Sequence, residues 1–140
     1  METENIKRFA RIFRGLDKAY GTFDITEKSA SGKAKGKARI VRDPRTLATF
    51  TAHLKGQQSV GIVPINEDNN CWWGAIDVDM YPLDHTKLVA IVKELNFPLV
   101  VCRSKSGGGH IYVFLTEPVP AELVQNKLKE IAGEIGYADT

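Results

Sequence analysis

Residues 71–115 read CWWGAIDVDMYPLDHTKLVAIVKELNFPLVVCRSKSGGGHIYVFL, and the order of elements in this stretch decides the fold. Cys71–Asp79 is rich in aromatic and β-branched residues and alternates in polarity, which predicts a strand. Asp84 is a natural N-cap for a helix through Asn96, with Leu88, Ile91, Val92 and Leu95 on one face. Pro98 and the apolar run Leu99–Cys102 predict a buried strand, with Cys102 a small buried apolar residue. Ser104–Gly109 is loop material, and His110–Leu115 alternates as a further strand. Pro118 and Pro120 then lead into a helix ending near Gly136, with Leu123, Leu128, Ile131 and Ile135 apolar. The order is β-α-β-β-α. One more strand would complete the split β-α-β-β-α-β unit of ferredoxin-like and RNA-recognition (RRM-like) folds. The expected class is therefore α+β, with the last strand absent.

Upstream, Ile6, Phe9, Ala10, Phe13 and Leu16 recur at helical spacing, predicting a helix over 4–20 that packs Phe9 and Phe13 inward. Ser29–Gly36 (SASGKAKG) reads as a mobile loop. Asp43 followed by Pro44 predicts a helix over 43–55, ended by Gly56. Ser59–Ile65 is strand-like, and the polar NEDNN at 66–70 would turn it back onto Cys71–Asp79 as a hairpin. The chain reads as one domain, the N-terminal part of a catalytic core. A helical, basic extension occupies 1–56, and a hairpin plus the RRM-like core occupies 57–140. The absent last strand suggests the front part of a longer polypeptide.

Composition bounds the function classes. With 140 residues, 43% of them hydrophobic and 26% charged, the chain can bury a proper core. It has no apolar run of the ~18 residues that a membrane span needs, and no signal-peptide h-region near the start. Cys71 and Cys102 form no CxxC pair, which suits free thiols and a cytoplasmic setting. The net charge of +2 is uneven: Lys28, Lys33, Lys35, Lys37, Arg39, Arg42 and Arg45 stand against Asp43 alone, so Lys28–Arg45 carries +6 and the rest −4. A basic segment of this kind suits a polyanion, with Lys33, Lys35, Lys37 and Arg39 as candidate nucleic-acid contacts. The plain alternative is a solvated loop.

Two segments carry chemistry. In WGAIDVDM, alternation turns Ile76 and Val78 one way and Ala75, Asp77 and Asp79 the other. Two same-face carboxylates lie roughly 6.6 Å apart along a strand and can converge on magnesium or manganese. The alternative is that they only solubilise an open sheet face, although Asp is disfavoured in strands. In RSKSGGGHIYVFL, Gly107, Gly108 and Gly109 bare the backbone amides to phosphate. Ser104 and Ser106 add hydroxyls, Arg103 and Lys105 add charge, and His110 opens the next strand with an imidazole that can donate to phosphate. The alternative is a flexible turn with a surface histidine. In the split unit, the first and third strands are antiparallel neighbours, so Asp77 and Asp79 should lie close to His110 and the glycine loop. Carboxylates for metal beside donors for phosphate describe a nucleoside triphosphate site.

On these residues the sequence resembles the archaeo-eukaryotic primase superfamily. Asp77-Val78-Asp79 matches its acidic strand motif, and SGGGHIYVF matches its histidine motif, with His110 the histidine and Ser106 the serine. The runs FRGLDKAYG, VGIVPINEDNNCWWGAIDVD and RSKSGGGHIYVF are similar to primase-polymerases of the TOTE conflict-system type and their mobile-element relatives. A comparable glycine-rich histidine motif occurs in the polymerase domains of bacterial end-joining ligases. The resemblance implies nucleotidyl transfer on a DNA template. Asp77 and Asp79 would hold Mg2+ or Mn2+, and Ser106 and His110 would contact the incoming triphosphate. It also implies nucleoside triphosphates and single-stranded DNA as partners, a helicase or further domains beside them, and the host cytoplasm if the element is phage- or mobile-element-encoded. The chain departs from the family pattern in two places. No third acidic motif has a match, and a lysine-rich segment stands where some relatives carry a cysteine-rich zinc element, so no structural zinc is expected.

Two other functions compete with transfer. A non-catalytic single-stranded nucleic-acid or nucleotide-binding module would use the same sheet and basic loop, although unmetallated acids on the sheet would repel phosphate. A metal-dependent nuclease would use the carboxylates but has no need of the glycine loop. Trp72 and Trp73 should divide between core and site side, for stacking or plain packing. Tyr112 shares a face with His110 and either borders the nucleotide or packs. His53 and His85, near helix ends, read as surface residues.

Overall fold

The computed structural model describes residues 2–30 and 34–137. The chain forms two compact units, Met1–Trp72 and Trp73–Thr140.

The first unit begins with helix α1 (Thr3–Ile12). It ends well short of Tyr20, because Leu16 N–H turns away to donate to the Val63 carbonyl at 2.9 Å. Ile6 is its buried residue, and Phe9 meets Phe13 and Phe50 at ring-centroid distances of 4.8 and 6.1 Å. Strands β1 (Tyr20–Lys28) and β2 (Ala34–Val41) form an antiparallel hairpin. Residues 34–36, read from sequence as mobile loop, thus belong to a strand. Helix α2 (Leu47–Leu54) starts later than Asp43. Thr46 is its N-cap, in a capping box with Thr49, and a hydroxyl on N3 satisfies the cap as Glu or Gln would.

The expected strand at Ser59–Ile65 does not form. Its backbone groups are committed elsewhere: Gly61 exchanges both hydrogen bonds with Gly21 at 2.7 and 2.8 Å, and Val63 accepts from Leu16. Ser59 Oγ donates to the Phe23 carbonyl at 2.9 Å. The hairpin of this region is therefore β1–β2. Arg45 pins the unit from inside. Its side chain is 3% exposed, and it donates to the Leu16 carbonyl at 2.8 Å and to Asp17 Oδ1 at 2.7 Å. His53, expected at the surface, is half-buried, with Nδ1 at 3.0 Å from the Gln58 carbonyl.

The second unit is the split β-α-β-β-α core. Strand β3 (Asn70–Val78) is followed by α3 (His85–Leu95), β4 (Leu99–Arg103), β5 (Gly109–Pro120) and α4 (Ala121–Ile135). The sheet order is β3-β5-β4, as the split topology requires. Helix α3 starts where its signals place it: the Asp84 carboxylate accepts from Lys87 N–H, and Asn96 closes the far end in the left-handed conformation. The core lies on one sheet face. Ile76, Val78 and Ile111 from the strands are buried, as are Leu88 and Val92 of α3 and Val124, Leu128, Ile131 and Ile135 of α4. On α4 the inward residue of the first turn is Val124, while Leu123 is 60% exposed. β4 is an edge strand in this order, and Val100 and Cys102 lie on its face away from the core, opposite Tyr112 and His110, so they are exposed instead of buried. Among the described residues no helix is long and apolar enough to cross a membrane.

Candidate active site

The second sheet face is open. Register pairs Cys102 with His110 and Val100 with Tyr112. Directly opposed residues share a face, so these four point the same way. On β3 the burial alternates, with Ile76 and Val78 inward and Ala75 and Asp77 exposed. β3 ends at Val78, so Asp79 sits one residue past the strand, on the connector to α3.

His110 and Asp77 meet. Nε2 of His110 is 3.4 Å from Oδ1 of Asp77, and both side chains remain open to solvent, at 40% and 71%. On the other side of the ring, Nδ1 lies 3.2 Å from the Tyr112 hydroxyl. A hydroxyl donating to Nδ1 leaves the hydrogen on Nε2, the nitrogen that faces the carboxylate. Tyr112 also joins an aromatic row, with ring centroids 6.0 Å from Trp73 and 5.7 Å from Phe114, the latter stacked. Burial, with the nearby Cys102 and Asp77 as lesser causes, pushes the Tyr112 phenol above its ordinary value. Trp73 is buried, and Trp72 is half-buried with the Arg14 guanidinium 3.3 Å from its ring centroid.

The glycine loop is folded tightly. Ser104 N–H donates to the Gly108 carbonyl at 3.0 Å, and Gly107 N–H to the Ser104 carbonyl at 3.1 Å. Gly108 lies directly on the end of β3: a Cβ there would come within 2.5 Å of the Val78 carbonyl oxygen, and within 3.3 Å of both Ser104 Oγ and the Tyr81 hydroxyl. Only glycine fits so close an approach. The loop is thereby held beside the acidic strand, as the topology implied.

Ser104 and Ser106 are half-buried in this loop, and Lys105 is exposed. Arg103 is exposed and paired in register with Gly109, so alternation places it on the face opposite His110. Lys35, Lys37 and Arg39 lie on β2 in the first unit. There Lys37 is opposite Asp24 and Lys35 opposite Glu27, and Arg39 makes an ion pair with Asp24 at 2.9 Å. The positive segment is therefore interleaved with carboxylates from β1. Lys33 lies outside the described residues.

Two neighbours of the site escaped the sequence reading. Tyr81 follows the acidic pair, and its phenol donates to the Asp79 carboxylate, which pushes it above its ordinary value; Ser106, donating to the same oxygen, pulls the other way. His85, expected at the surface, is half-buried and places Nε2 2.9 Å from the Gly108 carbonyl. The available signal was topological. A connector leaving the end of β3 passes the loop that opens β5, so residues 80–85 are the ones able to touch it.

An open RRM-like sheet, with paired carboxylates at the end of one strand and a glycine-loop histidine at the start of its neighbour, defines a domain of the primase-polymerase type. The family model for the archaeo-eukaryotic primase domain of TOTE conflict systems matches residues 22–137, and the chain belongs to that family. Among curated proteins none matches.

Proposed function

We propose that this domain carries out metal-dependent nucleotidyl transfer on a nucleic-acid template, with Asp77 and Asp79 as the metal-holding carboxylates and the glycine loop with His110 as the triphosphate cradle. The observation that supports it best is the 3.4 Å approach of His110 to Asp77 across the neighbouring strands β3 and β5.

The donor set suits magnesium or manganese. Two hard carboxylate ligands, with water and substrate phosphates filling the other positions, is how Mg2+ is commonly held. Among the described residues no group of three or more His, Cys, Asp or Glu could hold a metal, so an ion held by Asp77 and Asp79 would draw its remaining ligands from water and substrate oxygens. Bound there, the ion supplies charge that activates an attacking hydroxyl and stabilises the departing pyrophosphate. The chain's own contributions are positional. Tyr112 fixes the hydrogen of His110 on Nε2, from which it can donate to a phosphate oxygen. The Ser104 and Ser106 hydroxyls add further donors, while the Ser104 and Gly107 amides are taken up within the loop, and Lys105 adds charge. The Tyr112–Phe114 stack offers a surface for a base, where stacking is worth about 1–3 kcal/mol. Lys35, Lys37 and Arg39 serve a single-stranded template.

Primer extension with Mg2+ or Mn2+, beside the Asp77→Ala/Asp79→Ala double variant, tests the proposal. Incorporation by the wild type and none by the double variant is the expected result. Triphosphate and single-stranded DNA binding with no incorporation in either cation would instead identify a non-catalytic binding module. That reading draws on the lack, among the described residues, of a third acidic group placed with Asp77 and Asp79 to hold a metal.

A further inference from the structure

The connector between β3 and α3 touches the glycine loop from two sides, and nothing in the transfer chemistry requires that it should. On one side, the Gly108 carbonyl accepts two hydrogen bonds: from Ser104 N–H at 3.0 Å, within the loop, and from His85 Nε2 at 2.9 Å, from outside it. A carbonyl only accepts, so the His85 nitrogen that faces it carries the hydrogen. On the other side, the Tyr81 hydroxyl lies 3.3 Å from where a Gly108 Cβ would stand, with the Asp79 and Ser106 side chains as its polar neighbours. Both residues leave the strand that bears the carboxylates, and both end on the loop that would bear the phosphates.

We propose that His85 and Tyr81 are positioning residues that clamp the glycine loop onto the end of the acidic strand. Asp79 and the Ser104–Gly109 loop are then fixed relative to each other before any ligand binds. The inference rests on the transfer reading for its purpose, but its geometry belongs to the unliganded chain.

The physical consequence is preorganisation. A turn of three glycines has more backbone freedom to lose than any other sequence of its length. Left to itself, it would bear that cost each time a triphosphate was bound. His85 is rooted at the first position of α3, whose cap is Asp84, so it anchors the loop to a regular element. Tyr81, two residues after Asp79 and with its hydroxyl beside Gly108, adds a second contact between the connector and the loop. Sequence reading places His85 merely at a helix end, and it is the sheet order that brings it to Gly108.

The test compares His85→Ala, His85→Gln and Tyr81→Phe with wild type in two measurements on the whole chain. The first is amide hydrogen exchange at Ser104 and Gly107 without ligand. Removing one hydrogen bond should speed it by about fivefold in His85→Ala. His85→Gln, whose amide nitrogen can donate from nearly the same place, should restore it, and Tyr81→Phe should show a smaller increase. The second is Mn2+-ATP binding by calorimetry, where His85→Ala should weaken affinity by about 5- to 10-fold and His85→Gln should recover most of it. Circular dichroism checks that each variant is folded. If wild type binds no triphosphate, the transfer reading fails, and exchange still judges the clamp. Unchanged exchange at Ser104 and Gly107 in a folded His85→Ala protein overturns the clamp, as does acceleration that glutamine leaves uncorrected.

Discussion

Replacing Gly108 by alanine is the sharpest perturbation the site permits. The added Cβ would stand 2.5 Å from the Val78 carbonyl oxygen, whereas ordinary contact starts near 3.4 Å, so loop and strand must part by about 0.9 Å. Val78 lies between Asp77 and Asp79, and Gly108 lies two residues before His110. The strain therefore falls between the carboxylates and the triphosphate cradle. Overpacking of this size costs about 1–3 kcal/mol of stability, while misplacing a catalytic constellation by roughly 1 Å can cost about 100-fold in rate. Gly107 supplies the control. Its φ of +93° strains any other residue, but a Cβ there meets nothing within 4 Å. Gly107→Ala should thus lose about 1–2 kcal/mol while leaving the approach of Gly108 to Val78 unobstructed, so its loss of incorporation should be smaller than that of Gly108→Ala. Urea denaturation and steady-state incorporation on both variants separate strain from misplacement. Equal incorporation by Gly108→Ala and wild type would refute the argument that the seating of the loop on β3 sets the site.

His110→Ala should weaken triphosphate binding by roughly 10- to 150-fold, the value of a charge-assisted bond of about 1.5–3 kcal/mol, with little effect on monophosphate; calorimetry with the two ligands checks the selectivity. Folding should survive, since the ring is half-exposed. Neutralising Lys35 and Lys37 should lower the log–log salt slope of single-stranded DNA binding by roughly 0.7 for each phosphate no longer neutralised, and Asp24→Asn, which frees Arg39 from its ion pair, should tighten binding; an unmoved slope makes the hairpin a bystander. Arg45→Ala strips donors from the Leu16 carbonyl and Asp17 and should cost about 2–4 kcal/mol, read as a fall in the denaturation midpoint of the first unit.

The second unit is legible because its signals are local and agree with one another. Asp84 and Asn96 bracket α3, alternation sets the faces of β3 and β5, and the β-α-β-β-α order leaves few ways to arrange the strands. The first unit is less so. Ser59–Ile65 has strand composition, yet its hydrogen bonds go to Gly21 and Leu16, a choice made by tertiary contacts that no window of sequence contains. The β1–β2 hairpin hides behind a lysine-rich, glycine-containing stretch that composition assigns to a loop. At the site, Asp77 and His110 announce themselves by residue type in unusual places. Tyr81 and His85 do not, because their part depends on where a connector passes. Cys102 reads as buried and proves exposed, because an apolar run does not say which of its residues turn away from the core, nor that its strand lies at the edge of a sheet.

That edge position gives the chain a chemical handle. Of its two thiols, Cys71 is buried and pushed above its ordinary value by that burial, so it offers little thiolate to a reagent. Cys102 is exposed and sits directly across from His110 in the register. A maleimide dye therefore attaches at one place without any engineered cysteine, and that place borders the candidate site. Fluorescence from the natural sequence becomes a local reporter of occupancy, and alkylation an irreversible way to obstruct the open sheet face while leaving the opposite, packed face untouched.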